Sequence, residues 1–302
     1  MLKKLVITSL SLMGLLLSTG VKPTMAGTVL ENIAKTGTFT VATPFNTVPY
    51  SYYNPENELT GFSIDVVKLI HQQLEKELGR KIELNFVEVN SIQEAIPKMI
   101  SGQVDITCNT AFTWERDKYV DYTLRYTISG IRLLIPKGKA PTDTSFTNKK
   151  IGIPPQTFVR DAIKLNYPSA ILVDVKSLEE GTNSLNEGKI DALAGDSILL
   201  DGFRQQVNPD GFEQFPPFAE PSLAQYGVGC IVPENNSAFL NIANYSIARM
   251  MEGYIVKDPE MTQLFQKWMG ENGVVNIVSD EAVELFFKTT IINHEQIPFP
   301  KK

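Results

Sequence analysis

Histidine, cysteine and tryptophan are scarce in this chain, with two of each in 302 residues. His71 and His294 are far apart, and Cys108 and Cys230 are 122 positions apart, so the usual metal sets and catalytic triads cannot assemble from local motifs. G-x-S-x-G, H-E-x-x-H, C-x-x-C, the P-loop and a strand-following G-x-G-x-x-G are all missing. No catalytic residue, metal site or cofactor is therefore expected. Positive charge is not in excess either: 28 Lys and Arg face 34 Asp and Glu, a net charge of −6. That argues against nucleic acid and anionic membranes as partners. Two cysteines do not make a disulfide scaffold. In an oxidising compartment they can bridge, and as two buried free thiols they would be equally ordinary.

The first 26 residues read as a secretory leader: Lys3 and Lys4 give a basic start, Leu5 to Leu17 is a short apolar run, and Thr24-Met25-Ala26 ends it with small residues. Cleavage is expected after Ala26. The run is shorter than the roughly 20 residues of a membrane span, no later segment offers another, and no Cys follows it to carry a lipid. The expected product is a soluble, periplasmic monomer of 276 residues, enough for one large or two modest domains. The leader holds three of the lysines and no acid, so the remainder carries 25 basic and 34 acidic residues, a net charge of −9.

One pattern occurs twice. A shift of 86 residues superposes 87–110 on 173–196 without a gap, with 6 of 24 positions identical: Val87/Val173, Val89/Val175, Ser91/Ser177, Glu94/Glu180, Gly102/Gly188 and Asp105/Asp191. Each copy reads as an alternating strand, a Ser N-cap with an acid three residues on, a helix, a glycine stop and a second strand. Two copies at this spacing point to two similar α/β lobes, although βαβ units also converge by chance.

After a linker, "GTFTVATPF" reads as a strand, followed by an aromatic turn-rich loop and a helix from Ser63 to the stop at Gly79. His71 falls on that helix's polar side. "KIELNFVEV" is a strand, and the first copy of the pattern follows, giving the β-α-β-α-β grammar of a parallel sheet covered by helices. "SGIRLLIPKG" carries the chain out of the first lobe, "KKIGIPPQTF" opens the second, and "YGVGCIV" returns. Helices are expected over 236–253, 259–269 and near 280–288. The division predicted is 27–136 with 226–302 for a discontinuous first lobe, and 137–225 for an inserted second lobe.

Ligands of α/β sheets sit beyond the carboxyl ends of the strands, here Asn109-Thr110-Ala111 and Gly195-Asp196. "TWERDK", read as a helix start, offers Arg116, a planar cation that fits a carboxylate. Asp196 on the facing wall suits an ammonium, and the two together suit a zwitterion. On spacing alone, Arg116 can equally belong to a charged face with Glu115, Asp117 and Lys118, and Asp196 can simply cap a helix.

"VPYSYY", "LTGFSID", "GQVDITCNTAFTWERDKYVDYTLRYTISGIRLLI" and "GKIDALAGD", in this order, resemble the family 3 extracellular solute-binding proteins, the polar amino-acid receptors of ABC importers. The resemblance spans nearly all of the chain after the leader. Cys108, Cys230, "FQKWM" and "SDEAVELFF" are most similar to the glutamate/aspartate-binding branch. It implies an α/β two-lobed periplasmic-binding-protein clamp of type II, with two chain crossovers between lobes. The implied partners are a free amino acid and the membrane permease of an ABC importer. In that clamp Arg116 grips the ligand α-carboxylate with help from the Ala111 N–H, and the Asn109 carbonyl receives the α-ammonium. Thr157 donates its N–H to the carboxylate from a helix start, and Asp196 takes the ammonium.

Several positions depart from the family pattern. Ala111 replaces a Thr or Ser, leaving Thr110 to supply the hydroxyl. Gln156-Thr157-Phe158 replaces Gly-Thr-Thr, and Trp114 replaces a Pro. Pro44 stands where acidic amino-acid binders of the branch carry an Arg, so a neutral polar or mixed ligand set is expected, unless Arg125, Arg132 or Arg160 supplies the charge. Phe45, Tyr50 and Tyr52 are candidates to line the side-chain pocket, and Arg132 to face a ligand carboxylate or the lobe interface. Cys108 ends a first-lobe strand and Cys230 lies on the strand returning to that lobe, so a disulfide is expected between them. A periplasmic dehydratase on the same clamp and a ligand-sensing partner of a membrane receptor are the competing functions. The former needs a general acid in the cleft that these residues do not obviously offer.

Overall fold

The structure, a computed structural model, describes residues 28–140, 145–155, 157–218, 220–270, 272–275 and 279–295. The expected leader lies outside these residues. The described residues open with α1 (Val29–Thr36), placed by sequence in a linker. Its start is a reciprocal cap: Glu31 N–H donates to Thr28 Oγ1 at 3.3 Å, and Thr28 N–H donates to Glu31 Oε2 at 2.9 Å. Thr28-x-x-Glu31 was therefore a legible start signal.

Then follow β1 (Thr38–Thr43), the short strands β2 (Asn46–Thr47), β3 (Ser51–Tyr53) and β4 (Leu59–Thr60), α2 (Phe62–Leu78) and β5 (Glu83–Glu88). The unit closes with α3 (Ile92–Ile100) and β6 (Ile106–Ala111). His71 on α2 is half-buried, and its Nε2 bonds the Ile82 carbonyl at 2.7 Å, tying α2 to the approach of β5. Next come β7 (Val120–Tyr122), β8 (Thr127–Pro136), β9 (Lys150–Ile153), α4 (Thr157–Asn166), β10 (Ile171–Asp174), α5 (Leu178–Asn186) and β11 (Ala192–Asp196). The remainder is α6 (Ser197–Val207), β12 (Phe212–Phe215), β13 (Ala224–Pro233), α7 (Ser237–Ile255), α8 (Pro259–Met269) and α9 (Asp280–Glu295). The last of these runs a further two turns beyond its expected end.

The main path of the sheet is β10-β9-β11-β8-β13-β6-β1-β5. Read outward from its centre, the two halves have the same plan: a long crossing strand, then the closing strand of a repeat copy, the opening strand of the unit, and the first strand of the copy. Pairing is parallel within β10-β9-β11 and within β6-β1-β5, and antiparallel through β8 and β13. These are two lobes joined by two crossings.

The shared residues have shared jobs. Ser91 and Ser177 accept the N–H of Glu94 and Glu180 at 3.3 and 3.1 Å. The glutamates reach back to the N–H of Asn90 and Lys176 at 3.0 and 2.7 Å. Gly102 and Gly188 end the units at φ +72° and +68°, a left-handed backbone that glycine adopts without strain. Asp105 Oδ2 accepts Thr40 N–H at 2.7 Å, while its own N–H donates to the Thr40 carbonyl at 2.8 Å. Asp191 does the same to Lys150, at 2.8 Å both ways. Each aspartate thus fixes where its strand meets the neighbour.

The first lobe buries α1, α2, α7, α8 and α9 against one sheet face, with Phe39, Phe62, Tyr126, Phe239 and Trp268 at its centre. A second cluster of Ala95, Met99 and Ile231 lies under α3. The second lobe has its own pair of cores, one around Leu133, Ile151, Val159 and Ile163, the other around Leu134, Leu185 and Leu193. Separate cores let each lobe hold its shape while the crossings bend. Cys108 and Cys230 form a disulfide between β6 and β13.

Candidate functional site

The carboxyl end of β6 does not finish regularly. Gly229 pairs with Thr110 and Ile231 with Thr107, so Cys108 and Asn109 together face Cys230. Such a two-against-one bulge needs one residue off the strand conformation. Asn109 takes it, at φ +61°, a value Asn tolerates better than most side chains. Its N–H donates to Tyr126 Oη at 2.8 Å, and that oxygen lies 2.7 Å from Ser63 Oγ, in the buried interior. Burial pushes the Tyr126 hydroxyl well above its usual range, so it stays protonated and serves as a fixed post for the bulge.

The stretch "TWERDK", expected to start a helix, is instead turn, over residues 114–119. Arg116 and Asp117 N–H both return to the Thr113 carbonyl, at 3.2 and 3.1 Å, and Tyr119 N–H to that of Arg116 at 2.9 Å. Five or six residues cannot offset helix nucleation when Val120 must already pair with β13. The Arg116 side chain is half-buried, and its Nη1 donates to the Ala111 carbonyl at 3.2 Å. Among the described residues it has no carboxylate partner. Ala111 therefore offers its carbonyl to Arg116, whereas the expectation concerned its N–H. Thr110 is buried beside it.

On the other side, Asp196 ends β11 and caps α6: its Oδ1 accepts the N–H of Ile198 and Leu199 at 2.9 and 3.0 Å. Tyr226 Oη donates to Oδ2. Asp196 is 7% exposed as a residue, and burial raises its pKa against the lowering effect of these donors. Asp196 is thus both a cap and a buried carboxyl group that tyrosine and amide donors keep oriented. The two sequence alternatives for it are compatible, because capping uses one oxygen of the two. α4 begins at Thr157, so its first backbone N–H groups face away from the helix body, as a helix start requires. Gln156 lies outside the described residues.

The lobes touch near this point. Ile198 of α6 packs into the first-lobe core, and a Cβ built on Gly202 would overlap the Val48 carbonyl oxygen. Tyr50 is completely buried there, whereas Phe45 packs on Tyr53 and Tyr52 on Trp268.

Arg132 is engaged by backbone carbonyls of its own chain. Its guanidinium donates to the carbonyls of Pro216, Pro217 at 2.9 Å and Glu220 at 2.7 Å, and lies over the Phe218 ring. It thereby holds Pro216, Pro217 and Glu220 in place. Burial lowers its pKa, with Glu220 opposing. Arg160 pairs with Asp174, and Arg125 is exposed. The sequence reading missed the Tyr226–Asp196 bond and the Tyr126 post, for which "YGVGC" and "LRYT" carried no periodic signal.

Known proteins share this architecture. The glutamate/aspartate import solute-binding protein of Escherichia coli K12 is 25% identical over 251 residues, covering 80% of each chain. The glutamine-binding protein of a Bacillus subtilis ABC transporter is 28% identical over 224 residues, 72% of this chain and 76% of that one. Among solved structures, an ancestral amino-acid-binding protein, described as a precursor of cyclohexadienyl dehydratase, superposes with a TM-score of 0.64 at 23% identity, over 80% of this chain and 99% of that one. An arginine-binding protein of T. maritima gives 0.62 at 20% identity, over 80% and 98%. These likenesses establish the type II clamp fold. The profile of the bacterial extracellular solute-binding proteins, family 3, matches residues 39–271, and the chain belongs to that family.

Proposed function

We propose that the protein is an exported receptor that binds an L-amino acid between its lobes and delivers it, as a monomer, to the permease of an ABC importer. The leader would be removed after Ala26, and the clamp would divide at 27–136 with 226–302 against 137–225. The observation that carries this reading is Arg116: a half-buried guanidinium at the carboxyl end of β6, held by one backbone carbonyl and without a carboxylate partner among the described residues. A cation so placed leaves its remaining donors for an incoming carboxylate. Asn109 offers its carbonyl and Thr110 its hydroxyl from the same strand end, and Ala111 steadies Arg116. Asp196 takes the ammonium from the second lobe, sharing Oδ2 with Tyr226, while the Thr157 N–H meets the carboxylate. The relatives named for glutamate and aspartate or for glutamine support an amino acid as the ligand class.

The test is a thermal-shift screen across the common L-amino acids and L-cystine. A ligand bound only to the folded state raises the melting temperature by mass action, by about 2.7 kcal/mol of stability at a hundredfold excess over Kd. A shift confined to particular amino acids supports the reading, and none with any of them overturns it.

A further inference from the structure

Of the seven arginines, six are engaged within the chain: Arg80, Arg116 and Arg132 by backbone carbonyls, and Arg160, Arg204 and Arg249 by carboxylates. Arg125 alone has neither kind of partner among the described residues. Its stem is nonetheless seated. A Cβ built on Gly227 would stand 2.1 Å from Arg125 Cδ and 2.7 Å from Cγ, so the stem lies against β13 where only a glycine leaves room. Gly227 pairs in register with Ile128 of β8, outside the left-handed region, so its backbone does not itself demand glycine. A glycine inside a strand weakens it, and close approach of another group is a usual reason for one. Seating the stem reduces the rotamer freedom that the guanidinium loses when it binds.

Arg125 lines a cavity of about 500 Å³, within the roughly 300–1,000 Å³ of small-molecule sites. One wall is the run into β8 with the facing part of β13, and the other is α9. No acidic side chain lines it. Gln225, Thr289, Thr290 and Asn293 bring amides and hydroxyls, and these side chains have no hydrogen-bond partner among the described residues. Leu124, Ile128 and Phe286 give it an apolar side. A planar cation with neutral donors around it and apolar surface beside it is complementary to an organic anion. Arg116, Asn109 and Asp196 do not line this cavity. Thr289, Thr290 and Asn293 sit on the two turns of α9 beyond its expected end, and α9 lies outside the residues 39–271 that match the family profile. The α9 wall is thus an addition to the part of the chain that the profile describes.

We propose that this cavity is a second binding site, separate from the cleft, for a small organic anion, with a carboxylate or phosphate head on the Arg125 guanidinium and a body of a few carbons against Leu124, Ile128 and Phe286. The inference does not rest on the amino-acid reading of the cleft. The guanidinium fork donates two parallel N–H bonds to the head, and the hydroxyls and amides of α9 and Gln225 serve its remaining oxygens. Arg125 is exposed, so water screens the pair and the affinity is modest.

The test is fluorine NMR of para-fluorobenzoate and of monofluorophosphate, titrated with the parent, Arg125→Gln and Gly227→Ala. The parent is expected to bind at least one of the two with a Kd of about 1 mM or below, and the tighter of them assigns the head group. Para-fluorobenzyl alcohol, the same ring without the charge, should not bind. Arg125→Gln should weaken binding at least about tenfold, roughly 1.4 kcal/mol. Gly227→Ala should do likewise although it keeps the cation, because the new Cβ dislodges the stem. Melting temperatures show whether each variant is folded, and Thr290→Val, which removes one hydroxyl from the α9 wall at nearly the same shape, replaces Gly227→Ala if that protein does not fold. Failure of both anions to bind the parent, or equal binding of the uncharged alcohol, would overturn the inference. Loss in Arg125→Gln with parent-like binding in the second variant would mean an adventitious ion only, and overturn it too. Binding kept in Arg125→Gln but lost in Arg116→Ala would place the anion in the cleft, with the same consequence.

Discussion

Gly202 of α6 lies against the carbonyl oxygen of Val48, with no room between them for a Cβ. Glycine inside a helix costs about 1 kcal/mol relative to alanine, so the position sacrifices helix stability for close approach of the two lobes. Gly202→Ala is expected to keep or raise the stability of the ligand-free protein while holding the lobes apart. Amino-acid affinity should fall about tenfold, roughly 1.4 kcal/mol. Titration calorimetry on both proteins checks this, and parent-like affinity would show that the contact yields without cost.

The Cys108–Cys230 bridge joins β6 to β13 immediately before the Asn109 bulge. Its loss is expected to lower unfolding free energy by about 2–5 kcal/mol. The replacement Cys108→Ala with Cys230→Ala, followed by denaturant unfolding, measures it. Thiol titration of the denatured, unreduced parent should find no free thiol, and two would contradict the bridge.

Asp105 sets a pH dependence. Burial pushes its carboxyl up to about 6, against the lowering effect of the Thr40 N–H. In the unfolded chain the same group titrates near its ordinary value of 3.8. Between those values the folded state binds the extra proton, so the contribution of Asp105 to stability is full below about 3.8 and is lost as pH rises through about 6. Asp105→Asn keeps an acceptor for Thr40 and removes the titration. Its melting temperature should exceed the parent's at pH 7, and the gap should narrow at pH 4. A gap that does not depend on pH would show that the carboxyl is not perturbed.

The repeat was legible because its identities are hydrogen-bonding positions: Ser91 and Ser177 cap, Gly102 and Gly188 turn, and Asp105 and Asp191 lock strands. Each acts within a few residues or on an adjacent strand, so spacing alone reveals it. The bulge at Asn109 was not legible, because it depends on the register of a partner 122 positions away. The helix expected from "TWERDK" failed for a related reason, since pairing of β7 with β13 overrides a weak local preference. For Arg132 the sequence left a ligand carboxylate and the lobe interface open, and only the fold brings it the carbonyls of Pro216, Pro217 and Glu220.

Pro44 bears on ligand choice. It supplies no cation, Arg132 is committed to its loop, and Arg160 to Asp174. A ligand's second carboxylate would therefore lack a planar cation from these three positions. Glutamine or other neutral polar amino acids should bind more tightly than glutamate and aspartate, and Pro44→Arg should shift the preference toward glutamate. Competition calorimetry decides between them, and selective binding of glutamate and aspartate by the parent would contradict it.

Arg116 and Asp196 carry the central claim, one from each lobe. A ligand shifts an open–closed equilibrium only by its difference in affinity for the two states, and contacts across the cleft form only when the lobes meet. Arg116→Ala should weaken capture at least a hundredfold, about 2.7 kcal/mol, by leaving the carboxylate unpaired. Asp196→Asn should bind more weakly and close less. The most direct measurement is small-angle scattering of the parent with and without the amino acid that raises its melting temperature. A smaller radius of gyration on ligand addition, reduced in Asp196→Asn and absent in Arg116→Ala, is the predicted result. An unchanged radius in the parent with ligand bound, or equal compaction in all three proteins, would contradict a clamp closed by these two residues.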